Sequence, residues 1–405
     1  MTVARALALA IFLMTYLGLA LGRVPGFRID RTGMAIVGAA AAVATGAIAW
    51  DRAVAAVDAH TLILLFGMMV VSAYLRLSGF FALVTRETVR LARTPVTLLA
   101  LLVLAVGVLS ALFVNDVVCL VLAPLVVELA RRHGLPPVPY LIALATASNV
   151  GSVATLTGNP QNMLVGSYSG VSYRAFLLAQ APVALVGLAA VFLAVWGTYR
   201  RQLPAFLAPA GPDERLALHY PLMWKTGAVV VVMLAGFLSG VPIALVAIAG
   251  AAYTLITRRV KPEKVYAEIN WGLLVLFAGL FVVIGAVEDS GLAEDLLALA
   301  RRANLHQPPV LIAVTAALSN LVSNVPAVLL LKPVIATLGE PQHAWLLVAM
   351  ASTLAGNLTL IGSVANLIVV EAAREARVEI GFMEYARVGV PLTLVTLLLG
   401  WALLR

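Results

Sequence analysis

The sequence has one cysteine, Cys119, and few charged residues. A single cysteine excludes an internal disulfide and a cysteine-rich metal site. Charged residues make up 11% of the 405 residues and hydrophobic residues 62%, whereas the apolar share of a soluble globular domain is usually about 45 to 50%. The excess apolar surface must face lipid. The longest polar stretch, about 199 to 219, is long enough only for a linker, so the sequence predicts a membrane protein without a soluble domain.

Several functional classes lack their signatures. No GxxxxGK[ST] loop is present, which argues against a nucleotide-driven pump. The five histidines fall in predicted loops or at span edges without metal-site spacing, and no nucleophile lies beside a base. The net charge of +8 comes from basic residues on alternate loops, as in membrane proteins, and does not indicate nucleic-acid binding. The sequence therefore predicts neither an enzyme nor a cofactor-binding protein.

Apolar runs long enough to cross about 30 Å of hydrocarbon recur along the whole chain. They predict ten spans, at about 3–22, 34–50, 61–79, 139–164, 175–198, 221–238, 241–257, 271–288, 343–368 and 387–404. Two further apolar stretches, about 95–130 and 308–337, have polar residues in the middle and are predicted to be re-entrant hairpins. With this topology most basic residues share one side, so the positive-inside rule predicts a multi-pass cell (inner) membrane protein with both termini outside.

The two halves of the chain are similar in sequence. Residues 147–162 (ASNVGSVATLTGNPQN) align with 351–366 (ASTLAGNLTLIGSVAN) at a constant spacing of 204 residues. The identical pairs include Thr155/Thr359, Gly158/Gly362 and Asn162/Asn366. Upstream, Asn115 aligns with Asn324 at a spacing of 209 residues. Such matches in the same order indicate an internal duplication.

The duplication predicts the fold class and the domain boundaries. Residues 1–198 form the first transmembrane repeat with the N-terminal span, 199–220 a cytoplasmic linker, and 221–405 the second repeat. Each half has an odd number of spans, so the second enters the membrane from the opposite face. The predicted fold is an all-α polytopic membrane protein of two inverted five-span repeats, each with a re-entrant hairpin and a broken transmembrane helix. In secondary transporters such repeats enclose a midplane site and support alternating access.

Four stretches place Asn, Ser, Thr, Gly and Pro where hydrocarbon demands continuous helix: 114–116, 148–162, 319–324 and 352–366. Backbone polar groups freed at such breaks cost several kcal/mol each in lipid, so the breaks belong in protein or beside a water-filled cavity. Broken helices present N–H groups to an anion and carbonyls to a cation. The alternative is that the small residues only allow close helix packing.

Three charged residues fall within or near apolar segments. Asp116 is the only acid predicted deep in the first repeat, where it is either a functional ionisable group or the cap of a helix N-terminus. Lys332 stands where the first repeat has Ala123 and either pairs with an acid, binds an anion or reaches to the interface. Glu288 is expected at the membrane interface.

At these motifs the sequence resembles the ion transporter superfamily, which includes citrate-transporter-like proteins, divalent anion/sodium symporters, arsenite permeases and sodium/proton antiporters. The resemblance extends from about residue 34 to 405 and covers the order hairpin, broken helix, hairpin, broken helix. In the divalent anion symporters each hairpin tip reads Ser-Asn-Thr. Here the second tip, Ser323-Asn324-Val325, nearly matches, whereas the first, Val114-Asn115-Asp116, departs from the pattern. An Asn-Asp tip is closer to the arsenite-permease and antiporter members, for which proton coupling is expected.

The resemblance implies that tips and breaks bind the substrate and its coupling cation. The candidate substrate- and ion-binding residues are Asn115, Asp116, Ser148, Asn149, Thr157, Gly158, Asn162, Ser323, Asn324, Thr359, Gly362, Ser363 and Asn366. No metal site is expected apart from a coupling sodium at Asn115, Asp116 and Asn324, should sodium replace the proton as coupling ion. The resemblance also implies a homodimer.

These observations predict a secondary transporter that moves a small anion or oxyanion, such as a carboxylate or an arsenite-like ion, by symport or antiport with protons or sodium. The alternative is a cation/proton antiporter with Asp116 as its exchange carboxylate. A channel is a third hypothesis, but paired inverted breaks favour alternating access. The expected partners are the small anionic substrate and the lipid bilayer, with no nucleic acid.

Overall fold

A computed structural model describes residues 3–21, 28–208 and 217–405 of the chain. Within these ranges the secondary structure is entirely helical, with twenty helices and no strand. Residues 209–216 of the predicted linker lie outside the described residues, and its other residues contain no helix beyond the ends of α10 and α11.

The helices divide into two series of ten. The first series is α1 (Val3–Leu21), α2 (Arg31–Ala44), α3 (Trp50–Ala56), α4 (Ala59–Leu77), α5 (Phe80–Leu91), α6 (Pro95–Leu112), α7 (Asn115–Arg132), α8 (Pro137–Ser152), α9 (Pro160–Tyr168) and α10 (Tyr173–Tyr199). The second series is α11 (Tyr220–Leu238), α12 (Ile243–Leu255), α13 (Pro262–Tyr266), α14 (Trp271–Asp289), α15 (Leu292–Arg302), α16 (Pro308–Val322), α17 (Asn324–Ile335), α18 (Pro341–Ala355), α19 (Val364–Glu375) and α20 (Phe382–Leu403).

The two series repeat their local signals. Asp58 caps α4 by accepting from the backbone N–H of Thr61, and Asn270, 212 residues later, caps α14 by accepting from that of Leu273. Gly79 and Gly291, at the same spacing, precede α5 and α15 in the left-handed conformation, with φ of 82° and 77°. A residue with a side chain is strained there, so both glycines set a sharp turn into an amphipathic helix. The duplication predicted from sequence is therefore present in the local structure.

Helix lengths agree with a membrane-spanning fold. Six of the described helices have at least 18 residues and are apolar enough to cross a bilayer, and 18 residues of helix span about 27 Å. The predicted hairpins are the pairs α6–α7 and α16–α17, each joined by one or two residues. The predicted spans at 139–164 and 343–368 are each divided into two helices, α8–α9 and α18–α19. The prediction of an all-α fold with two inverted repeats is confirmed.

Packing between the repeats is reciprocal. Helix α2 packs against α14, and α12 packs against α4. The closest approaches match: a Cβ added at Gly67 would lie 2.7 Å from the carbonyl carbon of Ala247, and one added at Gly279 would lie 2.8 Å from that of Ala35. Both pairs are related by the spacing of 212 residues, so a pseudo-two-fold axis passes between the crossings. Without a Cβ at the two glycines, the helix backbones meet directly.

Gly67→Ala and Gly279→Ala should each destabilise the protein by about 1 to 3 kcal/mol, because the added methyl group meets backbone that cannot rotate away. The melting temperature of the detergent-solubilised protein would show the loss. Gly227→Ala on α11 is the matched control, since no atom of the described residues lies within 4 Å of a Cβ there. Equal melting temperatures in all three variants would contradict direct backbone contact.

The helices form two groups around this axis. The outer group consists of α1–α4 and α11–α14, which pack on one another through the two crossings. The inner group consists of α6–α10 and α16–α20, held by the contacts of α6 with α8, α16 with α18 and α10 with α20. Amphipathic helices α5 and α15 connect the groups in each repeat. The hairpin tips and helix breaks all belong to the inner group.

Candidate functional site

The first hairpin tip is held by bonds to the first helix break. The backbone N–H of Asn115, the first residue of α7, donates to the carbonyl oxygen of Gly158 at 2.9 Å. The hydroxyl of Ser148 donates to the carbonyl oxygen of Asn115 at 3.2 Å. The amide Nδ2 of Asn115 donates to Oδ1 of Asn149 at 3.1 Å, whereas its Oδ1 is buried without a partner among the described residues. A buried amide oxygen without a donor is costly and is typical of a ligand-binding position.

The second hairpin tip has an unusual backbone. Ser323 joins α16 and α17 with φ 79° and ψ 159°, a region that residues other than glycine rarely adopt and that costs about 1 to 3 kcal/mol. The side chain of the next residue, Asn324, is buried, and its Oδ1 also lacks a partner among the described residues. The two tip asparagines, aligned in the sequence, thus share the same unsatisfied atom.

Each helix break is closed by one asparagine. Nδ2 of Asn162 donates to the carbonyl oxygens of Ser152 and Thr155 at 3.0 and 2.9 Å. Nδ2 of Asn366 donates to those of Gly356 and Thr359 at 2.7 and 3.1 Å. Each amide therefore donates to two carbonyls that the interrupted helix leaves without the usual helical partner. The matching geometry explains why each repeat has an asparagine at this position.

The two breaks contact each other through a pair of symmetric bonds. Nδ2 of Asn149 donates to Oδ1 of Asn366 at 3.0 Å. At the equivalent position of the second repeat, the hydroxyl of Thr353 donates to Oδ1 of Asn162 at 3.4 Å. We call these two bonds the cross-brace. The two broken segments therefore lie against each other, since each break-closing asparagine is held by the opposite repeat.

Asn149 also links the first tip to the second break. Its Oδ1 accepts from Nδ2 of Asn115 and from the hydroxyl of Ser363, at 3.1 and 3.0 Å. Its Nδ2 donates to Oδ1 of Asn357 at 2.8 Å, in addition to Asn366. A single side chain thus fixes the relative positions of elements from both repeats.

A cavity of about 60 Å³ lies where the tips and breaks meet. Four helices begin at its wall, α7, α9, α17 and α19, which contribute Asn115, Pro160, Asn324 and Val364. A helix N-terminus carries a partial positive charge and N–H groups without intrahelical partners. Four such ends around one cavity produce a positive potential in a region of low dielectric. This arrangement favours an anion.

Asp116 lies on the cavity wall in the first turn of α7. Its carboxylate makes no hydrogen bond or ion pair within the described part of the chain, and α7 has no side-chain cap bond. The alternative prediction, that Asp116 is a helix cap, is therefore wrong. The negative charge is available to a coupling ion or a proton.

The predicted site residues form two layers. Five of them line the cavity: Asn115, Asp116, Ser323, Asn324 and Ser363. The others lie behind it and hold the wall in place, namely Ser148, Asn149, Thr157, Gly158, Asn162, Thr359, Gly362 and Asn366. Among these, the hydroxyl of Thr157 forms a hydrogen bond with the hydroxyl of Tyr173 at 3.2 Å, and the hydroxyl of Thr359 donates to Oδ1 of Asn320 at 3.2 Å. These two threonine hydroxyls point to other helices instead of the cavity.

The glycines of the second layer allow close approach of backbone. A Cβ at Gly158 would lie 2.4 Å from the carbonyl oxygen of Ser152, and one at Gly362 would lie 2.7 Å from Oδ1 of Asn320. Both positions therefore require glycine for packing, which is the structural alternative considered for these stretches.

Sequence reasoning missed residues on and behind the wall. Gln161 lines the cavity and donates to the hydroxyl of Thr353 at 3.1 Å. Arg31, at the start of α2, also lines it. Asn357 binds Asn149 from behind the wall. The polar run around Gln161 is a usable signal, whereas Arg31, which follows Arg28 just before a predicted span, has the pattern of a loop arginine.

Lys332 lies away from this cavity, two turns along α17 from the second tip. Its ammonium is 3.1 Å from the carboxylate of Glu288 on α14 and 4.8 Å from the ring centre of Tyr168 on α9. Of the three predicted roles, the structure shows pairing with an acid. The pair joins the inner group of helices to the outer group.

Comparison with known proteins places this geometry among transporters. Residues 10–355 match the family model described as citrate transporter. The chain is 30% identical to an uncharacterized transporter of Mycobacterium tuberculosis, over 97% of this chain and 96% of the relative. It is 31% identical to the silicon efflux transporter LSI3 of Oryza sativa subsp. japonica, over 93% of each. The structure of the YdaH transporter of Alcanivorax borkumensis superposes with a TM-score of 0.63 at 18% identity, covering 99% of this chain and 97% of that one.

Proposed function

We propose, from the premise that this chain belongs to the citrate transporter family, that it carries a small anion or oxyanion across the membrane as a secondary transporter. The chain matches proteins named as transporters over nearly its whole length and theirs, which confirms the prediction of a membrane transporter and not an enzyme. Substrate, coupling ion and transport cycle are the finer parts of the proposal.

The observation that supports an anionic substrate is that four helices begin at the wall of one cavity. Only an anion gains from all four ends at once, because each end contributes the partial positive charge of its helix dipole. A cation or a proton has its own possible ligands at this cavity, which are the unsatisfied oxygens of Asn115 and Asn324 and the carboxylate of Asp116. The cavity therefore combines groups for an anion with groups for a cation or proton, as a coupled transporter requires.

We assign coupling to Asp116, with a proton as the coupling ion. The carboxylate lies on the cavity wall without a hydrogen-bond donor among the described residues, so a proton is the partner that needs no further ligands. Sodium is the alternative, since Asn115, Asp116 and Asn324 offer the oxygen ligands that hard cations prefer. The two assignments differ in which gradient drives accumulation.

Alternating access follows in this proposal from movement of the inner group against the outer group. The cross-brace joins the two repeats within the inner group, so the tips and breaks keep their arrangement while the part of the wall that the outer group contributes changes position. The cycle takes place with both termini outside the cell membrane and in a homodimer, as the charge pattern and the resemblance imply. Cysteine labelling from each side and cross-linking in membranes would test orientation and assembly.

A cation/proton antiporter is the second candidate function. The observation that favours it is the same set of oxygens, which with Asp116 would bind a small cation in place of an anion. The silicon efflux relative adds silicic acid, uncharged at neutral pH, as a substrate to be tested.

Flux into proteoliposomes tests the proposal. Citrate, phosphate, arsenate, arsenite and silicic acid would be offered under an imposed proton gradient, an imposed sodium gradient or neither. The expected result is saturable, gradient-driven accumulation of at least one anion. Sodium or potassium flux that dissipates a proton gradient, with no flux of any anion, would select the antiporter. Flux of silicic acid alone would rule out the assignment of an anionic substrate.

A further inference from the structure

Arg31 is a charged residue on the cavity wall without a partner among the described residues. It begins α2, whose start is fixed by Asp30, which accepts from the backbone N–H of Gly33 at 2.8 Å. The guanidinium is half-buried and makes no hydrogen bond or ion pair to a described residue. A guanidinium has five N–H donors in a planar fork that fits two oxygens of an oxyanion. Leaving them unused in a partly dry site is costly, so the position is suited to a ligand.

Arg31 and Asp116 are the only ionisable residues among those that line this cavity. The helices that pack on α7, namely α4, α5, α6, α8 and α19, place no acidic or basic residue on the cavity wall. Cys119, one turn along α7, and Tyr16, whose hydroxyl donates to the carbonyl oxygen of Pro326, are buried polar neighbours that carry no charge at neutral pH. The formal charge of the wall is zero with Asp116 ionised and one positive with Asp116 protonated.

We propose that Arg31 is the anion ligand of this cavity and that the carboxylate of Asp116 competes with the substrate for it. The inference rests on the proposed anion transport and identifies the residue that recognises the charge. Protonation of Asp116 removes the competing negative charge, so proton binding and anion binding strengthen each other, and by linkage the effect is reciprocal. The same pair of residues thus accounts for both affinity and coupling.

The cavity volume narrows the substrate class. About 60 Å³ is small for a binding cavity, since sites for organic ligands usually measure about 300 to 1,000 Å³. A trigonal or tetrahedral inorganic oxyanion, with four or five heavy atoms, fills that space. Citrate is much larger. The inference therefore assigns a small inorganic oxyanion as the ligand of Arg31.

The positive charge of Arg31 has no counterpart in the second repeat, across the pseudo-two-fold axis. The spacing of 212 residues that relates Ala35 to Ala247 pairs Arg31 with Ile243 at the start of α12. The corresponding position in the second repeat is apolar and cannot bind an oxyanion. The effect of Arg31 should consequently depend on which side of the membrane the substrate approaches.

The test measures KM and kcat for phosphate, arsenate and arsenite in proteoliposomes containing Arg31→Gln, Arg31→Lys and the matched control Arg28→Gln. Arg28 is an exposed arginine close by in the chain that does not line the cavity. For the anion that the unaltered protein carries, we expect KM to rise at least tenfold in R31Q and less in R31K, which keeps the charge. R28Q should match the unaltered protein.

A double-mutant cycle with Asp116→Asn tests the competition. At alkaline pH, D116N alone should lower the KM for the anion, and this gain should disappear when R31Q is also present. Retention of the normal elution volume in size-exclusion chromatography and of the melting temperature would show that each variant is folded. An unchanged KM in folded R31Q, or a D116N gain that persists without Arg31, would overturn the inference while leaving anion transport intact. Absence of any anion flux in the unaltered protein would instead overturn the proposed function.

Discussion

Replacing Asp116 by asparagine should abolish accumulation of substrate under a proton gradient and leave exchange at equal pH on both sides intact. The substitution keeps the size of the side chain but removes the carboxylate, and Asp116 is the only acid among the residues that line the cavity. Without a group that gains and loses a proton there, the proton gradient cannot drive accumulation of the substrate. We expect accumulation to fall to the level set by diffusion, a loss of more than tenfold.

The measurement compares accumulation with and without a proton gradient in the same proteoliposomes. Glu128→Gln is the matched control, because Glu128 lies on the same helix but is partly exposed and pairs with Arg132. If sodium is the coupling ion, D116N should lose the sodium dependence instead. Unchanged dependence on both gradients would move the coupling site to the break between Ser148 and Asn162.

The second large effect is expected at the break-closing asparagines. Asn162→Ala and Asn366→Ala each remove the amide that donates to two carbonyl oxygens at the break, at a cost of about 1 to 3 kcal/mol in each variant. Because these carbonyls lie directly behind the cavity wall, the wall shifts before the whole protein unfolds. Transport should fall at least tenfold in each variant while the protein remains folded and extractable.

Initial rates and size-exclusion profiles of both variants would check this expectation. Gln307→Ala is the control, since Gln307 is an exposed amide whose side chain makes no hydrogen bond in the described part of the chain. Unaltered flux in both alanine variants would remove the two asparagines from the site. Asn→Asp at either position reports on the ligand, because a new carboxylate beside the cavity should weaken an anion and strengthen a cation.

Much of the fold could be predicted because hydrocarbon imposes strict rules on the backbone. A free peptide group is so costly in lipid that a polar run such as Gly158 to Asn162 within an apolar stretch indicates a break. The breaks, the hairpins and the inverted order followed from that rule and from the sequence match between the halves. Asn162 and Asn366 were found because closing a break is a local task that each repeat performs with its own residues.

The remaining parts of the site depend on contacts between the repeats, which a comparison of equivalent positions does not reveal. Asn357 aligns with Val153, so the search for identical pairs passed over it, yet it binds Asn149 of the other repeat. Arg31 begins a helix next to a loop and follows the pattern of a solvated charge, and only the packing of α2 on α1 and α14 brings it to the cavity. The hydroxyls of Thr157 and Thr359 point away from the cavity because neighbouring helices offer them partners.

The cross-brace has a consequence for the history of the chain. Its two bonds use different residues at equivalent positions, Asn149 in the first repeat and Thr353 in the second. In an ancestor made of two identical subunits both positions must have held the same side chain. The amide now has four partners, and the smaller hydroxyl fits among Asn159, Gln161 and Asn162. A threonine in place of Asn149 could not bond all four partners, so divergence after fusion has made the two halves mutually dependent and a return to a symmetric dimer unfavourable.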